Sequence, residues 1–294
     1  MNAAAQVFAN VLMSAAIYSL VAVGFAIPFR VTKFFDLGYA AVFALGAYSL
    51  YVANMWLHAP LWLSCTIAVL FSVLFGCVLE MSVYGPLRRR GASPLVLLLA
   101  SLGLYFFMQN SISLGFGDAA RSLRLGLWND GYSILGARVT FIQIVAVCVS
   151  PAIIGAVVLL LRATHVGRTM RAVANDPELA RACGVNSGKV ILIAFAIGSA
   201  LAGVAGALVG LDLDMTPTMG MSALMMGVVV LIVGGTESIP GAILGAFLVS
   251  LAQHLGAWQI GSQWKDAIAF VILLAFLMFR PQGFFGRMVK KAAV

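Results

Sequence analysis

The chain has 294 residues, of which 62% are hydrophobic and only 10% charged, and its mean hydropathy is +1.04. Soluble globular domains carry about 45–50% apolar and about 25% charged residues, so a water-soluble fold is excluded and a polytopic, all-α bundle in a membrane is expected. The net charge of +8 would suggest nucleic acid in a soluble protein; here Lys and Arg cluster between apolar runs, which makes them a topology signal and leaves no nucleic-acid partner to expect.

Apolar segments fall at about 7–29, 37–57, 61–84, 95–116, 139–161, 189–210, 219–234, 240–258 and 265–279. A span needs about 20 residues, so nine would use about 180 and leave no room for a nucleotide-binding engine. Residues 1–294 therefore read as one transmembrane domain. The first 30 residues lack a positive n-region and a small-residue cleavage site, so the first run is expected to stay as an anchor. Glu80 ends the third segment close to Arg88–Arg90, where it is expected to snorkel or pair. Gln109, Asn110 and Ser111 lie in the outer half of the fourth; polar groups there prefer a bundle interior or a wet cavity. The connection at about 117–138, with Asp118 and Asp130, reads as a plain loop or as a contact for an extracytoplasmic partner.

The connection from Arg162 to Lys189 carries the densest local signals, and its core is about 164–188. Asp176 suits an N-cap and Pro177 the first helical position. Glu178 and Arg181 complement the helix dipole, and Gly184 followed by Val185 suits a left-handed stop. A helix over about 177–183 follows, too short to stand alone in water. Leu179, Ala182 and Cys183 share a face that wants a partner, either this chain or a groove on a cytoplasmic protein.

In the sixth segment Gly198, Ala202, Gly206 and Gly210 recur every fourth residue, and Gly241 and Gly245 form another close-approach pair in the eighth; these read as helix packing. The seventh segment is short and ends in Gly234-Gly235, so eight full spans is an open alternative to nine. His254 reads as an interhelical hydrogen-bond donor. The four cysteines (Cys65, Cys77, Cys148, Cys183) show no metal-ligand spacing, and no disulfide, metal or cofactor is expected.

With nine spans, 14 of the 18 Lys and Arg residues fall on one side: Arg30, Lys33, Arg88, Arg89, Arg90, Arg162, Arg168, Arg171, Arg181, Lys189, Arg280, Arg287, Lys290 and Lys291. Arg121, Arg124, Arg138 and Lys265 fall on the other. The positive-inside rule makes the first side cytoplasmic, with the N-terminus outside and the C-terminus inside.

Several stretches in order resemble the permease subunits of ATP-binding-cassette importers for branched-chain amino acids, a family that includes urea and short-chain amide permeases. They are Arg30-Val31-Thr32-Lys33-Phe34-Phe35-Asp36-Leu37-Gly38 with Leu45-Gly46-Ala47-Tyr48, then Leu102-Gly103-Leu104 with Gln109, and the Arg168-to-Gly184 segment. Gly234-Gly235-Thr236-Glu237-Ser238-Ile239-Pro240-Gly241-Ala242-Ile243-Leu244-Gly245-Ala246 and Phe279-Arg280-Pro281-Gln282-Gly283-Phe284-Phe285-Gly286 complete the set. The match runs over about residues 15 to 287. Two places depart from it. Family members usually read Asn-Phe-Ala-His-Gly where this chain has Phe34-Phe35-Asp36-Leu37-Gly38, and Glu237-Ser238 replaces the usual Gly-Ser.

The resemblance implies a non-enzymatic subunit of a bacterial inner membrane that forms half of a pathway. Its partners would be a homologous permease, two cytoplasmic ATPases, an extracytoplasmic solute-binding protein and membrane lipid, and its cargo a small amino acid or amide. Asp176, Pro177, Glu178, Leu179, Arg181, Cys183 and Gly184 would couple to the ATPases; Gln109 and Asn110 either line the pathway or bond between helices. Asp36 would either hold a substrate ammonium or cap the second span. A related sugar importer and an ion-coupled secondary transporter are the rival readings; the latter normally places ionisable groups near the midplane and often shows an inverted repeat, neither of which is evident. A membrane enzyme would need convergent catalytic groups, whereas His58, His165 and His254 lie on separate segments.

Overall fold

Local chemistry sets most helix boundaries. In the computed structural model, which describes residues 3–123, 131–134, 137–236, 238–280 and 283–285, the elements run α1 (Ala3–Thr32), α2 (Gly38–Met55), α3 (Leu61–Leu79), a π turn (Glu80–Tyr84), α4 (Gly85–Arg89), α5 (Pro94–Phe116), β1 (Gly131–Ile134), β2 (Ala137–Thr140), α6 (Phe141–Ala163), α7 (His165–Asn175), α8 (Pro177–Ala182), α9 (Ser187–Asp212), α10 (Met219–Gly234), α11 (Ile239–Ile260), a 3-10 turn (Ser262–Trp264) and α12 (Lys265–Phe279). Arg124, Asp130, Glu237, Pro281, Gln282, Gly286, Arg287, Lys290 and Lys291 lie outside the described residues.

Side-chain caps open many of the helices. Thr140 and Gln143 form a reciprocal capping box on α6. Ser93, Thr164, Asn186 and Ser238 accept backbone N–H groups at the starts of α5, α7, α9 and α11. Pro94 and Pro240 occupy first-turn positions, where a missing N–H costs nothing.

Among the described residues, seven helices are long and apolar enough to cross a membrane: α1, α3 continued through the π turn and α4, α5, α6, α9, α11 and the last helix with its 3-10 lead. The interior is built from α1 and α9, where 78% and 67% of the most apolar window is buried, against 22% in α3, α5 and α6 and 6% in α12. α9 packs on α1, α2 and α3, and α10 fits against α1, α2 and α11. Small residues make this closeness physical. A Cβ at Gly206 would meet the Phe43 carbonyl, and one at Gly198 would sit 2.7 Å from the Gly24 carbonyl oxygen.

α2, with 18 residues, and α10, with 16, complete the apolar helices of the bundle. After α1 ends, residues 33–37 run back into the bundle before α2 begins. The Tyr39 hydroxyl donates to the Val21 carbonyl at 3.2 Å, about three turns inside the α1 C-terminus. α10 likewise starts against α2, with Gly220 on the Ala40 carbonyl, after a link in which Met215 and Arg121 exchange backbone hydrogen bonds of 2.7 and 2.9 Å. At about 24 Å, α10 is shorter than the hydrocarbon core of about 30 Å. The hairpin of β1 and β2, paired from Gly131–Thr140 to Ile134–Ala137, departs from the plain-loop reading of that stretch.

Candidate functional site

The Asn175–Ser187 stretch folds into a rigid projecting helix. The Asp176 carboxylate accepts the N–H groups of Glu178 and Leu179 at 2.9 and 3.0 Å. The far end closes by Val185 N–H to the Ala180 carbonyl and Gly184 N–H to the Arg181 carbonyl, with Gly184 at φ +82°. That is a Schellman stop, and it satisfies carbonyls the helix leaves open. The observed span, Pro177–Ala182, ends one residue before the expected one, with Cys183 as C-cap.

The helix packs on the chain through Ala180 alone, which is 5% exposed, while Leu179 is 63% exposed and Ala182 and Cys183 are open. The face expected to need a partner therefore has none within the described residues. Arg181 turns back, its Nε donating to the Ser187 hydroxyl at 3.4 Å. α7 carries the peg by burying Gly167, Met170 and Val173 against the bundle.

Asp36 is buried at the entry to α2. One carboxylate oxygen accepts the Gly38 N–H at 2.8 Å and the Tyr84 hydroxyl at 2.7 Å, and the neighbouring Leu37 N–H donates to the Ser101 hydroxyl at 3.0 Å. Asp36 thus holds the first N–H of α2 and ties that end to the π turn, while the Leu37 backbone makes the link to α5. Glu80 opens that π turn and forms an ion pair with Arg88, in keeping with its position near Arg88–Arg90. Tyr84 and Ser101 carry no signal in the sequence: they lie 48 and 64 residues from their partners, and no local pattern links them.

Gln109 and Asn110 do not join Asp36. Asn110 faces outward on α5, its amide folded back to the Phe106 carbonyl at 2.7 Å, and Gln109 is half-buried. Phe107, Asn110 and Leu114 stand on the same open surface as Gly103, where an added methyl would meet nothing within 4 Å. Ala202 is fully buried in α9. Gly241 lies against the Gly234 carbonyl, and a Cβ at Gly245 would stand 2.6 Å from the Val230 carbonyl oxygen. His254 differs from expectation at Nδ1, which pairs with the Ser250 carbonyl at 3.0 Å, one turn back on its own helix rather than on another.

Residues 7–277 match the family model described as the branched-chain amino acid transport system permease component. The chain is 30% identical over 295 residues to the high-affinity branched-chain amino acid transport system permease protein BraD of Pseudomonas aeruginosa, covering 96% of this chain and 95% of the relative. It is 30% identical to the corresponding LivH protein of Escherichia coli, covering 92% and 91%. Among solved structures, PsaBC from Streptococcus pneumoniae in complex with Fab aligns over 93% of this chain and 91% of that one, with a TM-score of 0.54 and 12% identity. That last likeness speaks to the fold alone.

Proposed function

Because the chain belongs to the family of branched-chain amino acid transport system permease components, we propose that it forms half of the import pathway for a branched-chain or other small amino acid or amide, driven by separate cytoplasmic ATPases. The observation that carries this is the pair Leu179 and Asp176: a large apolar side chain held in the open by a helix capped at both ends. An ATPase moves membrane helices only through a contact that does not slide or melt, and a short capped helix mounted on α7 is such a contact. Asp176, Pro177, Glu178, Leu179, Arg181, Cys183 and Gly184 are its residues.

The paired ends of the helices support a multi-pass arrangement with the N-terminus outside and the C-terminus in the cytoplasm of a bacterial inner membrane. Arg30 Nε donates to the Thr236 carbonyl at 3.1 Å, and Phe284 N–H to the Val233 carbonyl at 3.0 Å, at the end rich in Lys and Arg. Gln6 pairs with the Arg138 backbone at the opposite end. We assign the open α5 surface carrying Gly103, Phe107, Asn110 and Leu114 to a homologous second permease, since small residues on an open helix face allow a second helix to approach closely. A solute-binding protein delivers the cargo from outside.

Reconstitution of the chain with its partner permease, ATPases and binding protein in vesicles tests this. Uptake of labelled leucine should require ATP and stop when Leu179→Glu is introduced. Uptake driven by an ion gradient without ATPases would overturn the proposal. Labelled urea in the same assay separates amino-acid from amide cargo.

A further inference from the structure

A cavity of about 320 Å³ opens between the ends of α1, α6, α7 and α11. Its lining includes Arg30, Arg162 and Arg171 above an apolar wall that contains Ile27, Val158 and Ile239, and no described lining residue is acidic. Arg171 gives one guanidinium N–H to the Leu161 carbonyl, which closes the end of α6, and a guanidinium has five donors in all. Arg30 gives its Nε to the Thr236 carbonyl. Arg162 makes no hydrogen bond or ion pair among the described residues.

We propose that this cavity binds the phosphate headgroup of an anionic glycerophospholipid, with an acyl chain along the apolar wall. Planar guanidinium forks match phosphate oxygens in pairs. Basic pockets between membrane helices on the cytoplasmic side take anionic headgroups, whereas a free phosphate would make no use of Ile27, Val158 and Ile239. The site sits where α7, the mount of the projecting helix, meets the bundle; a bound lipid would brace that junction. The inference rests on reading this end as the cytoplasmic end of a membrane bundle, but its test needs neither ATP nor transport.

The full chain would be purified from nanodiscs of equal phosphatidylglycerol and phosphatidylcholine, and retained lipid measured by native mass spectrometry. Phosphatidylglycerol should be retained preferentially, and retention should fall about fivefold for each arginine removed in Arg162→Gln and in the double variant with Arg171→Gln. Arg168→Gln, on the same helix as Arg171 but outside the cavity lining, should leave it unchanged. Inorganic phosphate in excess should not displace the lipid. Equal retention in Arg162→Gln, a folded variant since it breaks no bond, would overturn the proposal. So would displacement by phosphate without lipid preference. Either result would leave ATP-driven uptake, measured separately, untouched.

Discussion

The carboxylate of Asp36 and the hydroxyl of Tyr84, 48 residues apart in sequence, meet at 2.7 Å inside the bundle. The same carboxylate oxygen holds the Gly38 N–H, so one side chain orders the start of α2 and fastens it to the turn that ends α3. Tyr84 is fully buried, with Phe34 and Phe195 against its ring.

Removing the hydroxyl alone, in Tyr84→Phe, should destabilise the chain by about 1.5–3 kcal/mol, the value of a hydrogen bond to a charged group. Asp36→Ala should lose more, because the Gly38 N–H and the Tyr84 hydroxyl both lose their acceptor. Asp36→Asn keeps an acceptor oxygen and should retain the substrate KM with a modest loss of stability. Thermal unfolding in detergent and uptake kinetics are the two measurements. A raised KM in Asp36→Asn at unchanged stability would instead assign Asp36 to the substrate ammonium.

How much of this is legible in the sequence follows from distance along the chain. The projecting helix is readable because Asp176, Pro177, Glu178 and Gly184 carry their instructions within nine residues, as caps and stops do. Apolar runs reveal the long helices for the same local reason. The Asp36–Tyr84 tie, the π turn and the retreat of residues 33–37 into the bundle depend on contacts made only after folding. His254 shows the limit from the other side: an intrahelical carbonyl at Ser250 is available, yet burial alone suggests a partner on another helix. Asn110 is identifiable as a polar group in an apolar run, but its outward orientation depends on how α5 rotates against α2.

Glycines that recur in sequence are not equivalent in the fold. Gly206→Ala should be destabilising by about 1–3 kcal/mol, as overpacking is, because the added methyl meets the Phe43 backbone, which cannot move aside as a side chain would. Gly103→Ala adds a methyl to open space and should be neutral or stabilising by up to about 1 kcal/mol through helix propensity. The difference in apparent Tm between the two variants checks the packing directly. If Gly103→Ala also lowers assembly with the second permease, the open α5 surface is the contact between them.

The Glu80–Arg88 pair predicts an asymmetric cycle. The Glu80 side chain is 5% exposed and that of Arg88 26%, so Arg88→Gln strands a buried carboxylate while Glu80→Gln leaves a guanidinium that reaches water. Arg88→Gln should therefore cost about 3 kcal/mol, as loss of one partner of a buried pair does, and Glu80→Gln clearly less. The double variant should recover much of the Arg88→Gln loss, because no unpaired charge remains. Unfolding midpoints of the four proteins give the coupling, and strict additivity would mean the pair contributes nothing.

Projection of Leu179 separates coupling from folding. Leu179→Glu places a charge where the side chain is already open, so the Tm should move by less than about 0.5 kcal/mol in equivalent stability, as for surface changes, while ATP-driven uptake falls at least about tenfold. Asp176→Ala removes the acceptor for two N–H groups and should cost about 1 kcal/mol locally, with a partial loss of uptake as the helix frays. Gly184→Ala meets no neighbour but holds a side chain at φ +82°, which costs about 1–2 kcal/mol, and should resemble Asp176→Ala. Uptake and unfolding are measured on the same preparations. Normal uptake in Leu179→Glu would remove this helix from the coupling path, whatever the other two variants did.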